Sequence, residues 1–84
     1  RIRGSCVTVY YLLSEKMSFA VLAKKKTGSA VERNKIKRWV REIYRQERGL
    51  LSRPVDLIVM ADKSCSLLDH NNLREDIIRI FNKI

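Results

Sequence analysis

Residues 29–47 contain the feature that most constrains the fold, an amphipathic helix with a marked beginning. Ser29 and Glu32 form an S-x-x-E capping box, in which the Ser29 side chain accepts from the Glu32 N–H and Glu32 can reach back to the Ser29 N–H. The helix is therefore predicted to begin at Ala30 and to run to about Glu47. At about 100° per residue, its apolar positions share one side. They are Ile36, Trp39, Val40 and Ile43. This side needs a covering layer, and the flanking strands described below can supply it.

The opposite side of the same helix carries one sign of charge. It contains Lys37, Arg38, Arg41, Arg45 and Arg48, with Asn34 among them. Cations four residues apart repel each other, and contact with a polyanion would explain why the sequence accepts that repulsion. The net charge is +9, and ten of the 18 lysines and arginines lie in residues 24–48. Such a concentrated positive field favours an anionic partner.

Three apolar segments predict strands around this helix. Residues 6–13 and 17–23 are rich in β-branched and aromatic side chains. Because only a short polar turn separates them, they are predicted to form an antiparallel pair. Residues 55–61, VDLIVMA, are suited to a central strand. Gly49 is predicted to cap the end of the helix.

The end of the chain predicts a second amphipathic helix. It would begin at about Asp69, a possible N-cap, and run to the C terminus. Its apolar positions are Leu73, Ile77, Ile80, Phe81 and Ile84. The resulting order is β-β-α-β-α, which predicts the α+β class and a small two-layer α/β sandwich. Residues 1–84 are expected to form a single domain.

The cysteines and the histidine have no metal-ligand spacing. Cys6 and Cys65 are far apart and His70 is the one histidine. We expect two reduced thiols in a cytoplasmic protein and an ordinary helix position for the histidine. The longest apolar run is far shorter than a membrane span, so no membrane partner is expected.

A catalytic constellation is not evident in the sequence. The carboxylates of residues 55–84 are scattered over strand, loop and helix: Asp56, Asp62, Asp69, Glu75 and Asp76. A nuclease acting alone would need metal-binding carboxylates or an acid–base pair. No active site is therefore expected in the protein itself.

Aromatic side chains on the first two strands can stack on unpaired bases. Tyr10 and Tyr11 alternate along the strand and point to opposite faces of the sheet. One of them is expected to pack in the core and the other to face solvent. Trp39 lies on the apolar side of the helix and is expected in the core.

Chemistry alone leaves several interpretations open. The basic helix could bind RNA as a general ribosomal-type module, enter a DNA groove, or lie on an anionic membrane surface. It could also be only a solvated face. The membrane interpretation requires the apolar side of the helix to be exposed. That side is instead expected to cover the flanking strands.

The sequence resembles the protein subunit of bacterial ribonuclease P. The family's signature is an Arg-Asn-Arg motif at a helix start followed by x-Lys-Arg-x-x-Arg, and this chain has RNKIKRWVR over residues 33–41. KKTG precedes it at residues 25–28, DLIVMA follows at 56–61, and Leu68-Asp69 opens the last helix, as in the family. The resemblance covers essentially the whole chain in the same order.

This resemblance implies a fold and a function. The family protein is the cofactor of a ribozyme that removes 5′ leaders from precursor tRNA. Its RNA subunit hydrolyses the phosphodiester with a divalent metal, Mg²⁺, and the protein itself binds none. The protein binds that RNA through the signature helix and holds the single-stranded leader on the sheet. The family fold contains a left-handed β-α-β crossover around the signature helix.

The resemblance also implies the site residues. Contacts to ribonuclease P RNA are expected from Arg33, Asn34, Lys35, Lys37, Arg38, Arg41 and Arg45. Contacts to the leader of precursor tRNA are expected from Tyr10, Lys25 and Lys26. The third signature residue is Lys35, which keeps the charge but lacks the planar fork of arginine. The family's N-terminal helix, with its aromatic residues, is expected to be absent from residues 1–84.

Overall fold

The computed structural model describes residues 1–4, 6–24, 28–62 and 69–84. The described residues form four strands and two α-helices in the α+β arrangement that the sequence predicts. The strands are β1 (Ile2–Arg3), β2 (Val7–Leu13), β3 (Phe19–Ala23) and β4 (Val55–Ala61), and the helices are α1 (Ala30–Glu47) and α2 (His70–Phe81). The sequence did not predict β1, because a two-residue strand carries no periodic signal.

The sheet has the order β1-β2-β4-β3. The prediction that β2 and β3 pair with each other was wrong, because β4 lies between them. β4 pairs with β2 in antiparallel fashion and with β3 in parallel. Every second residue of β4 is buried, namely Val55, Leu57, Val59 and Ala61. In the central position, the backbone groups on both edges of β4 form hydrogen bonds with a neighbouring strand. If β2 and β3 paired with each other instead, one edge of β4 would stay unpaired.

The parallel neighbours β3 and β4 are joined through α1, so these elements form a β-α-β crossover. The order of its parts is the order that the family resemblance implied. Its left-handed sense stays a prediction from that resemblance, against a strong general preference for right-handed crossovers.

The helices cover one face of the sheet. α1 contributes Ile36, Val40 and Ile43 to the core, and each is at most 1% exposed. From α2 come Leu73, Ile77, Ile80 and Phe81. Burying an aliphatic or aromatic side chain of this size contributes about 1.5–3 kcal/mol. The apolar side of α1 therefore serves the core, as the periodicity predicts.

Side chains cap both helices at their N-termini, as the sequence predicts. Ser29 Oγ accepts from the Glu32 N–H at 3.2 Å, and Asp69 Oδ1 accepts from the Asn72 N–H at 2.8 Å. The predicted cap at Gly49 was wrong. α1 ends at Glu47 and continues directly into a 3₁₀ turn over Arg48–Leu50, so no left-handed residue is required there.

A buried carboxylate ties the beginning of β2 to α2. Asp76 is 2% exposed, and its Oδ2 accepts from the Cys6 N–H at 3.2 Å. Gly4 lies so close that a Cβ there would be 2.6 Å from the same oxygen. This close approach explains a glycine at that position. Cys6 itself is buried, whereas Cys65 lies outside the described residues, so the prediction of two reduced thiols stays a prediction.

Candidate nucleic-acid interface

The outer side of α1 presents an uninterrupted row of polar and cationic side chains. We call it the basic face and define it by the exposed residues Asn34, Arg38, Arg41 and Arg45. Within the described parts of the chain, the ion pairs are Glu47–Arg74 and Asp76–Arg79. The three arginines of the basic face take part in neither. Their charge is therefore available to an anionic partner.

The remaining predicted RNA-binding residues of α1 are all half-buried. Lys37 borders the basic face. Lys35 lies on the flank nearest α2, where its Nζ is 4.9 Å from the centroid of the Trp39 ring. Arg33 falls on the other flank, toward β3, because it is about three turns from Tyr44, whose ring stacks on Phe19 of β3. The two outer residues of the signature tripeptide thus lie on opposite flanks, with Asn34 between them.

A second surface lies on the face of the sheet that no described helix covers. We call it the open sheet face and define it by five side chains of β2 and β4, which are Thr8, Tyr10, Leu12, Ile58 and Met60. The register pairs Tyr10 with Ile58 and Thr8 with Met60. Ile58 is 43% exposed and Leu12 is 70% exposed. Such apolar exposure on a sheet is typical of a binding surface.

Tyr10 is the predicted leader-binding residue that the structure describes, and it lies on the open sheet face. It lines a shallow depression together with Lys24 and Met60. Lys25 and Lys26 lie outside the described residues, so their predicted role stays untested. The sequence analysis missed Ile58 and Met60. No sequence signal marked them, because VDLIVMA is apolar at every position except Asp56, and only the folded strand shows which alternate side chains leave the core.

The expectation about the tyrosines was wrong, and the expectation about Trp39 holds in part, because its half-buried side chain packs against the core. Neither tyrosine of β2 packs in the core, because Tyr10 is 38% and Tyr11 is 37% exposed. Tyr11 does lie on the helix-covered face, but the helices cover only the first half of β2, where Val7 and Val9 are fully buried. Trp39 is half-buried and packs edge-on against His70, with ring centroids 5.3 Å apart.

The two surfaces lie on different sides of the sandwich, because the basic face points away from the sheet. Over residues 1–4, 6–24, 28–62 and 69–84, no three His, Cys, Asp or Glu side chains come together as a metal site. In the same residues, neither helix has the length and apolar character needed to cross a membrane.

The fold and these surfaces define a class, a small α+β domain with a basic helix of the kind that binds polyanions. The Ribonuclease P family model matches residues 1–84. The chain therefore belongs to the Ribonuclease P family.

Individual relatives agree with this assignment. The chain is 35% identical over 68 residues to a ribonuclease P protein component from Thermotoga sp. (strain RQ2), a match that covers 76% of this chain and 58% of that protein. It is 41% identical over 64 residues to the corresponding protein of Desulfatibacillum aliphaticivorans, covering 76% and 54%. The aligned parts thus span little more than half the length of these relatives.

Solved structures show the same fold. The RNase P protein from Thermotoga maritima, in complex with 1-(4-fluorophenyl)-2-thiourea, superposes with a TM-score of 0.88 at 28% identity, covering 99% of this chain and 83% of that one. The Staphylococcus aureus RNase P protein superposes with a TM-score of 0.83 at 25% identity, covering 98% and 77%. The arrangement of strands and helices in this chain therefore belongs to a known architecture.

Proposed function

We propose that this chain is the protein cofactor of ribonuclease P. It binds the catalytic RNA and the 5′ leader of precursor tRNA, and so promotes endonucleolytic removal of the leader. The observation that carries the proposal is the basic face of α1, found in a chain of the Ribonuclease P family. The names of its relatives, ribonuclease P protein components, support the same assignment.

The basic face is the proposed contact to the catalytic RNA. Arg38, Arg41 and Arg45 recur at intervals of three and four residues, so they are spread over about two turns of one helix side. Guanidinium groups bind phosphate with two parallel hydrogen bonds. Asn34 can both donate and accept, which suits a ribose 2′-hydroxyl, the group that distinguishes RNA from DNA.

The open sheet face is the proposed contact to the single-stranded leader. Unpaired bases stack on exposed aromatic rings at about 1–3 kcal/mol per base, and Tyr10 offers such a ring beside the exposed apolar Ile58. Lys24, which lines the same depression as Tyr10, can neutralise a leader phosphate. Lys25 and Lys26 follow it directly in the sequence and extend the proposed contact.

The hydrolysis is proposed to take place on the RNA subunit. The donor set of the described residues does not suit a resident Mg²⁺, because no three His, Cys, Asp or Glu side chains converge there and the basic face repels a cation. We therefore assign the metal to the RNA, and binding and orientation of both RNAs to the protein. We propose the cytoplasm as the location of this chain.

Cleavage of precursor tRNA by a bacterial ribonuclease P RNA at low magnesium tests this proposal. The reaction is run without protein, with the wild-type chain, and with the triple variant Arg38→Gln, Arg41→Gln, Arg45→Gln. A second triple variant, Lys16→Gln, Arg53→Gln, Lys83→Gln, removes the same charge from exposed positions off the basic face. Both variants are first checked for wild-type circular dichroism and thermal unfolding.

We expect the wild type and the matched control to restore correct 5′ cleavage, and the basic-face variant to fail. Equal failure of both triple variants would mean that only net charge matters, which contradicts a defined basic face. If the wild type bound RNA with no gain in cleavage, the chain would be a general RNA-binding module instead.

A further inference from the structure

An aromatic pair lies at the edge of the basic face, where α1 packs on β3. The rings of Phe19 and Tyr44 are stacked with centroids 4.0 Å apart and an interplanar angle of 12°. The edge of Phe81 meets Tyr44 at a centroid distance of 6.4 Å and supports it from the core. Both stacked rings are half-buried. They therefore form a rigid apolar platform that still reaches the surface.

Three arginines surround this platform. Phe19 and Tyr44 line a surface cavity of about 250 Å³ together with Arg41, Arg45 and Arg48. We call it the aromatic pocket. All three arginines are exposed, and no carboxylate from the described residues lines the pocket. An apolar floor with a positive rim is complementary to a flat, aromatic ligand that carries negative charge.

A second cavity adjoins the first along α1. It is lined by Arg38, Arg41, Glu42, Arg45 and Gln46, without an aromatic side chain. Arg41 and Arg45 line both cavities, so they form the ridge between them. Groups bound on the two sides of that ridge share these guanidiniums. Consecutive nucleotides have this character, because each phosphate lies between two nucleosides.

The aromatic pocket is separate from the open sheet face. Phe19 pairs in register with Leu57, which is 2% exposed and belongs to the helix-covered face. Tyr10 projects from the other face, so one bound strand segment does not need to reach both. An RNA duplex keeps its base faces stacked inside and presents phosphates, ribose and base edges to a protein. Contact with the rings therefore requires an unpaired base.

We propose that the aromatic pocket binds one unpaired nucleotide of the catalytic RNA. Its base packs against Phe19 and Tyr44, and its phosphates bind Arg41, Arg45 and Arg48. This inference rests on the proposed function, since it names the feature of the catalytic RNA that the protein recognises. Phosphate contacts alone would position the protein, and the pocket adds a requirement for a bulged or looped-out base at one place.

Binding of a bacterial ribonuclease P RNA to the full chain, measured over a range of salt concentrations, tests the pocket. Phe19→Leu removes a ring and keeps an apolar side chain, and we expect at least a fivefold loss of affinity with an unchanged salt dependence, because stacking involves no counterion. Arg48→Gln should lower the slope of log K against log salt by about 0.7–0.9. Arg53→Gln removes the same charge outside the pocket. It should reduce the slope less than Arg48→Gln does.

Zero-length ultraviolet cross-linking of the wild-type complex, followed by mass spectrometry, does not depend on the folding of any variant. We expect a nucleotide of the catalytic RNA attached to Phe19 or Tyr44. If Phe19→Leu bound the RNA with wild-type affinity and no cross-link formed at either ring, the proposal that the pocket binds a nucleotide would be overturned. The proposed function would still stand if the wild type supported cleavage. Failure of the wild type to bind the RNA at all would overturn both.

Discussion

The basic face of α1 and the open sheet face present opposite chemistry to solvent. The basic face offers Asn34 and three arginines, whereas the open sheet face offers Tyr10, exposed aliphatic side chains and one lysine at its margin. Contacts between arginines and phosphates suit a folded RNA whose base faces are stacked inside. Contacts of aromatic and aliphatic side chains with bases suit a single strand whose bases are unpaired. Under the proposed function, one small domain would therefore offer a separate surface to each of two RNAs.

The two surfaces also differ in how they depend on the core. Between Ile36 and Ile43, every third or fourth residue of α1 is a buried aliphatic, so the packing directly beneath it fixes the middle of the basic face. The open sheet face is fixed by strand register, which places Tyr10 opposite Ile58. Substitutions can consequently test each surface without touching the other, and the following predictions run from the largest expected effect to the smallest.

Ile43→Ala should destabilise the protein most and disturb both surfaces together. Ile43 is fully buried in the C-terminal half of α1, and truncating such a side chain costs about 2–5 kcal/mol. That is a large share of the roughly 4–12 kcal/mol expected for a domain of this length. Urea unfolding measures it. Leu12→Ala, at a position that is 70% exposed on the open sheet face, is the control and should stay within about 0.5 kcal/mol.

The triple variant Arg38→Gln, Arg41→Gln, Arg45→Gln should weaken binding to the catalytic RNA by roughly a hundredfold at 0.1 M salt, with a salt slope reduced by about 2–3. The expected cause is the loss of three phosphate contacts. Affinity for an isolated single-stranded leader should change far less. A comparable loss for both RNAs would show that the two surfaces are not separate.

Tyr10→Ala should weaken leader binding by about fivefold to a hundredfold, because one stacking partner is lost. Binding of the catalytic RNA should stay unchanged. Tyr11→Ala is the matched control, since Tyr11 has nearly the same exposure, 37% against 38%, and points to the opposite face. Fluorescence anisotropy with a labelled leader oligonucleotide measures both variants. Equal losses in the two would contradict the assignment of the leader to the open sheet face.

Ser29→Ala should have the smallest effect, a loss of about 1 kcal/mol in the free energy of unfolding. The Ser29 hydroxyl accepts from the Glu32 N–H at 3.2 Å, and alanine leaves that donor without its cap. Ser52→Ala, at an exposed position outside the helices, should be neutral. A thermal melt compares them. A large loss of RNA affinity at full folding would indicate that the start of α1 contacts RNA directly.

The elements that could be predicted are those decided by neighbours in sequence. The beginning of α1 at Ala30 follows from a hydrogen bond between residues three apart, and the same holds for Asp69 and Asn72 in α2. The basic face follows from helical periodicity alone. Gly49 shows the limit of this logic, because a glycine after a helix signals an end only where the chain needs a left-handed residue.

What the sequence determined by itself was the capped, two-sided α1, the element types and the family motif. The tertiary structure alone decided that β4 separates β2 from β3, that Ile58 faces solvent, and that Phe19 meets Tyr44. The physical reason is distance along the chain. Helix caps and helix faces depend on contacts within about four residues, whereas strand order and the aromatic pocket depend on which distant segments bury the most apolar surface together.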